Sequence, residues 1–166
     1  MSHEIADSLR AAARRFPTGV TVMAAALPAG CHAMTANSFV TLSLRPALIG
    51  IAITRDGRMR DAVQEAGAFG VSVLGDDQED CARYFANPDR SGRDDLVLTG
   101  HAPRVPEVPG CLAHFSCRLW SIFPVGDHEL VVGQVLRCRT LDACTPPLVF
   151  VGGSLVSARL DLVEGR

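Results

Sequence analysis

The 166-residue sequence predicts an α+β fold that is mainly antiparallel β: a barrel of six to seven strands with short helices at its ends. Three observations predict it. Runs rich in Val, Ile, Phe and Thr recur along the chain, bounded by Gly, Pro, Asn and Asp. Helical periodicity is confined to three short segments that do not alternate regularly with the strands. No G-x-G-x-x-G follows any strand, which sets aside a doubly wound dinucleotide fold.

The elements follow in order. Ile5, Leu9 and Ala13 recur at helical spacing over residues 4–15, and Phe16-Pro17 ends that helix because proline disfavours a helical residue ahead of it. "VTVMAAA" and the stretches 34–43, 47–53 and 68–74 read as strands. Between the last two, "DGRMRDAVQEAG" repeats Met59, Ala62, Val63 and Ala66 on one helical face. In "GDDQEDCARYFANPD", Asp76 is a candidate N-cap with Glu79 three residues on, and Asn87-Pro88 is the stop. Residues 87–110, with several charges and prolines, read as a long mobile excursion rather than a domain boundary. "AHFSCRLWSIFPV" and "HELVVGQVLRC" are strands joined by the turn-forming "PVGDH", and "PPLVFVGGSLV" is the last strand.

Composition narrows the function. The chain is long enough to bury its own core as one domain over residues 1–166, and no apolar run reaches the ~18 residues of a membrane span. With no signal-peptide core in the charged N-terminal helix, a cytoplasmic location is expected. A net charge of −2 gives no field to attract nucleic acid or anionic lipid. All sixteen basic residues are Arg. Without lysine there is no P-loop Lys, no Schiff-base Lys and no Ser-Lys nucleophile pair, so a bound phosphate must rely on Arg, hydroxyls or backbone N–H groups. The six cysteines show neither C-x-x-C nor zinc spacing, and they read as reduced, mostly buried thiols with no metal site.

One stretch does not fit a plain core. "AMTANSFVTLSLRPALIGIAI" sets Thr35, Asn37, Ser38, Thr41 and Ser43 within an apolar run. Small hydrogen-bonding side chains there suit a pocket for a flat ring with a polar edge, although a polar edge strand and its turn would use the same residues.

The order "RRFPTGVTVMAA", "AMTANSFVTLSLRPALIGIAI", "AFGVSVLGDDQEDCARYFA", "FPVGDHELVVGQV" and "PLVFVGGSL" resembles the flavin reductase family, with its FMN-binding split β-barrel, over residues 8–157. Its members are the reductase components of two-component flavin-dependent monooxygenases. The resemblance implies an NAD(P)H:flavin oxidoreductase, with NADH favoured, that passes hydride from the nicotinamide to FMN or FAD and releases reduced flavin to a separate monooxygenase. It also implies a homodimer. A non-catalytic flavin-binding protein of the same barrel, or a pyridoxamine-phosphate oxidase, are the alternatives.

The resemblance further implies where the site lies. Thr35, Asn37 and Ser38 would meet the ring edge through side chains or backbone, beside Ala52. Thr54, Arg55 and Arg58 would hold the flavin phosphate, with Arg93 as a weaker candidate; the family usually carries hydroxyl residues where this chain has Gly57, Arg58 and Met59. Phe85 and Ala86 match an F-A element bordering the flavin, and Phe150 with Gly152 and Gly153 matches an aromatic and a turn near the ring. His128 of "GDH" would position the nicotinamide rather than abstract a proton, because hydride transfer from carbon needs no base.

Overall fold

Short turns join most neighbouring strands, and a short turn permits only antiparallel pairing. In the computed structural model, which describes residues 2–89, 98–99, 105–141 and 145–158, helix α1 (Ser2–Ala13) leads into β1 (Thr18–Gly19), β2 (Thr21–Leu27), β3 (Gly30–Ala36), β4 (Val40–Leu44) and β5 (Ala47–Thr54). Then come α2 (Arg58–Ala66), β6 (Ala68–Val73), a 3-10 turn (Asp76–Gln78) and α3 (Glu79–Ala86). The C-terminal half adds β7 (Leu98–Thr99), β8 (Pro106–Glu107), the long strands β9 (Ala113–Val125) and β10 (His128–Thr140), and the hairpin of β11 (Leu148–Val151) and β12 (Ser154–Ser157).

The main sheet has seven strands in the order β3-β2-β6-β9-β10-β5-β4, and its named pairs are all antiparallel. The order begins on β3 and ends on β4, which are neighbours in sequence with only Asn37, Ser38 and Phe39 between them. A closed barrel would pair these two strands. Here they form no ladder, so the sheet curls round and stays open along a seam. A smaller sheet, β1-β11-β12, packs beside it.

Strand β2 shows how the barrel is filled. Side chains alternate across a strand, so Met23 and Ala25 join one buried cluster with Ile49, Ile51, Ile53, Phe69, Val71 and Val131. Val22 and Ala24 join another with Leu74, Phe85, Val108 and Leu148. Both faces are covered, which is why "VTVMAAA" reads as a continuous apolar run. Phe69 is wholly buried, and truncating such a ring to Ala costs about 3–5 kcal/mol. Helix α2 closes one side with buried Met59, Ala62 and Val63. Its Arg60 Nε lies 3.1 Å from Oε2 of the buried Glu129 on β10, which pins the helix to the sheet.

Three local expectations need correction. Residues 34–43 are not one strand: the ladder breaks at 37–39 because the chain must leave β2's side of the sheet and join β5's. The cap ahead of α3 is not Asp76 with Glu79. Gly75 precedes the 3-10 turn, its N–H donates to Gln78 Oε1 at 3.2 Å, and Gln78 N donates back to Gly75 O at 3.0 Å. Glu79 instead pairs with Arg83 one turn on, at 2.8 Å to Nε. The last strand is a hairpin, turned by Gly152 (φ 63°) and Gly153 (φ 87°), left-handed conformations that glycine adopts without strain.

Among the described cysteines, Cys111 and Cys117 are buried free thiols, Cys138 is an exposed free thiol, and Cys81 is buried. Burial pushes the Cys117 thiol up to about 12, so it is un-ionised and inert. Cys144, Arg93 and most of the expected excursion lie outside the described residues.

Candidate functional site

The seam is where backbone and small polar side chains replace strand pairing. Thr35 Oγ1 donates to Ala82 O of α3 at 2.7 Å, Ser38 Oγ to Ala52 O of β5 at 2.8 Å, and Asn37 Nδ2 to Thr18 Oγ1 of β1 at 3.2 Å. Each residue ties the seam to a different element. Both hydroxyl protons are thus used within the protein, and what remains for a guest is acceptor lone pairs and main chain. The N–H groups of Asn37, Ser38 and Phe39 make no main-chain hydrogen bond among the described residues.

Two cavities open beside this seam and share Thr35 and Ala86. The larger, about 640 Å³, runs between β3, the end of β5, the start of α2 and the end of α3. Ile53, Met59 and Phe85 supply apolar wall, while Thr54, Asp56, Gly57 and Arg58 supply polar groups at one end. The helix there begins at Arg58 after the extended Gly57, no side chain caps it and the Arg60 N–H donates to Gly57 O at 3.3 Å, which leaves the N–H groups of Arg58 and Met59 for an anion. The smaller cavity, about 260 Å³, is walled by Val20, Asn37, Ala82, Phe150 and Gly153.

The expected residues therefore divide. Thr35, Thr54, Arg58, Phe85 and Ala86 meet at the larger cavity, and Thr35, Asn37, Ala86 and Phe150 at the smaller. Ser38 and Ala52 brace the seam through their mutual hydrogen bond. Arg55 lines neither cavity; its backbone N–H donates to Asp127 O at 3.2 Å, so its visible task is to hold the β9–β10 turn against β5.

That contact brings His128 to the site's edge. His128 is the register partner of Thr54, a residue that lines the larger cavity. Its Nδ1 lies 2.7 Å from Asp127 Oδ1, which leaves Nε2 as the unengaged ring nitrogen of this pair. The hydrogen bond and charge of His128 hold the Asp127 carboxyl below its usual value.

Sequence reasoning missed Cys31, His32 and Met34 on β3, together with Asp56, Met59 and Tyr84, as cavity residues. The last three flank residues already singled out and were within reach. Those on β3 line the cavity because β3 is an edge strand, a fact of sheet order that no local pattern carries.

Comparison with known proteins agrees with this fold. The model of the "Flavin reductase like domain" matches residues 13–159. An FMN reductase (NADH) of Agrobacterium fabrum is 39% identical over 91% of this chain and 85% of its own. The reductase component of 4-hydroxyphenylacetate 3-monooxygenase from Thermus thermophilus is 37% identical over 87% of this chain and 91% of its own. Among solved structures, an NADH:FAD oxidoreductase of Streptomyces globisporus in complex with NAD and FAD fragments superposes with a TM-score of 0.88 at 31% identity, covering 96% of each chain. On a match spanning nearly the whole sequence, the chain belongs to the flavin reductase like domain family.

Proposed function

We propose that this chain oxidises NADH, reduces FMN or FAD that it binds in the seam, and supplies the reduced flavin to a separate monooxygenase. The observation that carries the reading is the convergence of Thr35, Thr54, Arg58, Phe85 and Ala86 on one cavity of about 640 Å³. A flavin is amphiphilic, with an apolar tricycle, a polar pyrimidine edge and a phosphate tail. The cavity has matching parts: apolar wall from Ile53, Met59 and Phe85, free main-chain groups at residues 37–39, and Arg58 with uncapped N–H groups at the far end.

The residues then take these roles. Arg58, Thr54 and the start of α2 bind phosphate by charge and hydrogen bonds. Thr35, Ser38 and Ala52 hold the seam open at a fixed width, and Asn37 fixes β1 so that Phe150 and Ala86 border the ring. His128, oriented by Asp127, positions the nicotinamide beside Thr54. When bound, the flavin supplies the hydride-accepting centre; the protein supplies proximity and orientation, worth several orders of magnitude in rate.

The active unit is a single-domain chain acting as a homodimer. Val40, Leu42 and Leu44 on β4 and Trp120, Phe123 and Val125 on β9 are all exposed, an apolar surface that a second copy would cover. Among the described residues no helix is long and apolar enough to cross a membrane. A cytoplasmic setting follows from NADH, a coenzyme of the cell interior.

The test is NADH oxidation with FMN, FAD and riboflavin in parallel. Saturable dependence on added flavin is expected; a folded sample that stays yellow through gel filtration without oxidising NADH would make it a flavin carrier instead.

A further inference from the structure

The seam cavity does not end at Arg58. A second groove, about 340 Å³, continues from it and shares three of its walls: Cys31, His32 and Arg58. One side of this groove is the face of α2 carrying Arg58, Asp61, Ala62 and Glu65, residues three and four apart that fall on one helical stripe. The other side is the turn between β2 and β3, with Leu27, Ala29 and Gly30. Charge changes along the path. The junction offers His32 and the guanidinium of Arg58, and beyond it stand the carboxylates of Asp61 and Glu65.

We infer that this groove receives the adenosine end of FAD, and that the chain binds FAD in preference to FMN. The inference rests on the flavin reading of the seam cavity and extends it past the first phosphate. Three features converge. The groove adjoins the end of the cavity where the flavin phosphate binds, so a second phosphate and a nucleoside have a place to go. Leu27, Ala29 and Ala62 give it apolar wall against which a purine can pack. Glu65 and the Oδ2 of Asp61 are acceptors, the Oδ1 of Asp61 accepting from Arg60 Nη1 at 3.1 Å, and a carboxylate is the group that takes hydrogen bonds from a ribose diol, as in dinucleotide sites.

The same carboxylates disfavour the alternative. FMN ends in a phosphate monoester carrying close to two negative charges at neutral pH, and the walls around Arg58 also carry Asp56, Glu65 and Asp61, the last paired with Arg60 at 3.1 Å. FAD has a diphosphate with one charge on each phosphate, spread along the junction, and its ribose turns those acceptors from a repulsion into hydrogen bonds.

Binding is the direct test, read by quenching of flavin fluorescence in the absence of NADH. Two variants separate the ends of the molecule: Glu65→Gln removes a carboxylate, and Ala29→Trp fills the groove from an exposed turn. Wild-type protein should bind FAD about tenfold more tightly than FMN, the worth of about one charged hydrogen bond. Each variant should lose most of that preference: Ala29→Trp through weaker FAD binding with FMN affinity within about twofold of wild type, and Glu65→Gln through weaker FAD binding together with tighter FMN binding. Equal wild-type affinities, or a preference unmoved by both variants, would overturn the groove assignment while leaving the flavin reading intact. Failure of folded protein to bind either flavin would overturn both.

Discussion

His128 and His114 are carried by adjacent strands of the same sheet, yet their surroundings could hardly differ more. His128 opens β10, is partly exposed, and pairs through Nδ1 with a carboxylate in the preceding position, Asp127. His114 lies near the start of β9, buried on all sides. Its Nδ1 is 3.2 Å from Ser72 Oγ, which also accepts the Val108 N–H at 3.0 Å, and its Nε2 has no hydrogen-bond partner among the described residues. The ring packs on Gly70, where a Cβ would lie 2.8 Å from His114 Cε1 and 2.2 Å from Pro106 O. One imidazole is partly exposed on the strand position paired with the cavity residue Thr54, and the other is shut in by its own fold. A polar side chain within an apolar sheet can meet a ligand only where the packing leaves it exposed.

The largest effect expected from this contrast falls on the closed side. Gly70→Ala forces a methyl against a backbone carbonyl that cannot rotate away, and overpacking of this kind costs about 3 kcal/mol. Denaturant unfolding should show the midpoint falling with little change in slope. A neutral Gly70→Ala would mean that the His114 region yields, and the contrast would be broken at its root.

Next in size is His128→Ala. On the proposed role of His128 in positioning the nicotinamide, its loss should lower kcat/KM for NADH about 30-fold, or about 2 kcal/mol. Flavin affinity and unfolding midpoint should stay near wild type. If His114→Asn matched that loss of turnover, the division between chemistry and scaffold would be wrong.

A third prediction uses pH. Burial is the largest influence on His114 and lowers its pKa; Glu107 acts the other way, and Arg139 adds to the lowering. The unfolded imidazole titrates near its ordinary value of about 6.5. As pH falls through that value, the unfolded chain takes up a proton that the folded chain resists, so stability is held above pH 6.5 and declines below it. His114→Asn should flatten that part of a thermal-midpoint profile. A wild-type profile already flat between pH 7 and 5 would show that the buried imidazole accepts the proton after all.

The same contrast explains what the sequence could show. Strand positions were readable because Val, Ile and Phe cluster between Gly and Pro, and helix α2 because Met59, Ala62 and Val63 recur at helical spacing. Thr35, Asn37 and Ser38 stood out as hydroxyl and amide groups in an apolar run, and they do lie at the seam. What no local pattern carries is which strands are edges. The break at 37–39 follows from β3 and β4 ending opposite sides of one sheet, and so does the entry of Cys31, His32 and Met34 into the cavity. Likewise Arg55 and Arg58 look alike in "TRDGRMR". Only the fold separates them: the Arg55 N–H bonds Asp127 O of the β9–β10 turn, while Arg58 opens α2 at the cavity. His128 was picked out by its place in a family motif; nothing in its own neighbours distinguishes it from His114.

The smallest effect tests how His128 is held. Asp127 is almost fully exposed, and an exposed pair contributes little to stability because water screens it. Its value to the site is therefore directional. With Oδ1 at 2.7 Å from Nδ1, the carboxylate selects one ring orientation, and asparagine keeps an oxygen acceptor in the same place without the charge. Asp127→Asn should raise KM for NADH about threefold, the scale of a weak exposed interaction, and leave kcat and flavin affinity alone. Asp127→Ala, which removes the acceptor, should cost more than Asp127→Asn. If the two variants were equal, charge rather than ring orientation would be the contribution of Asp127, and His128 would stand in place through its register with Thr54 alone.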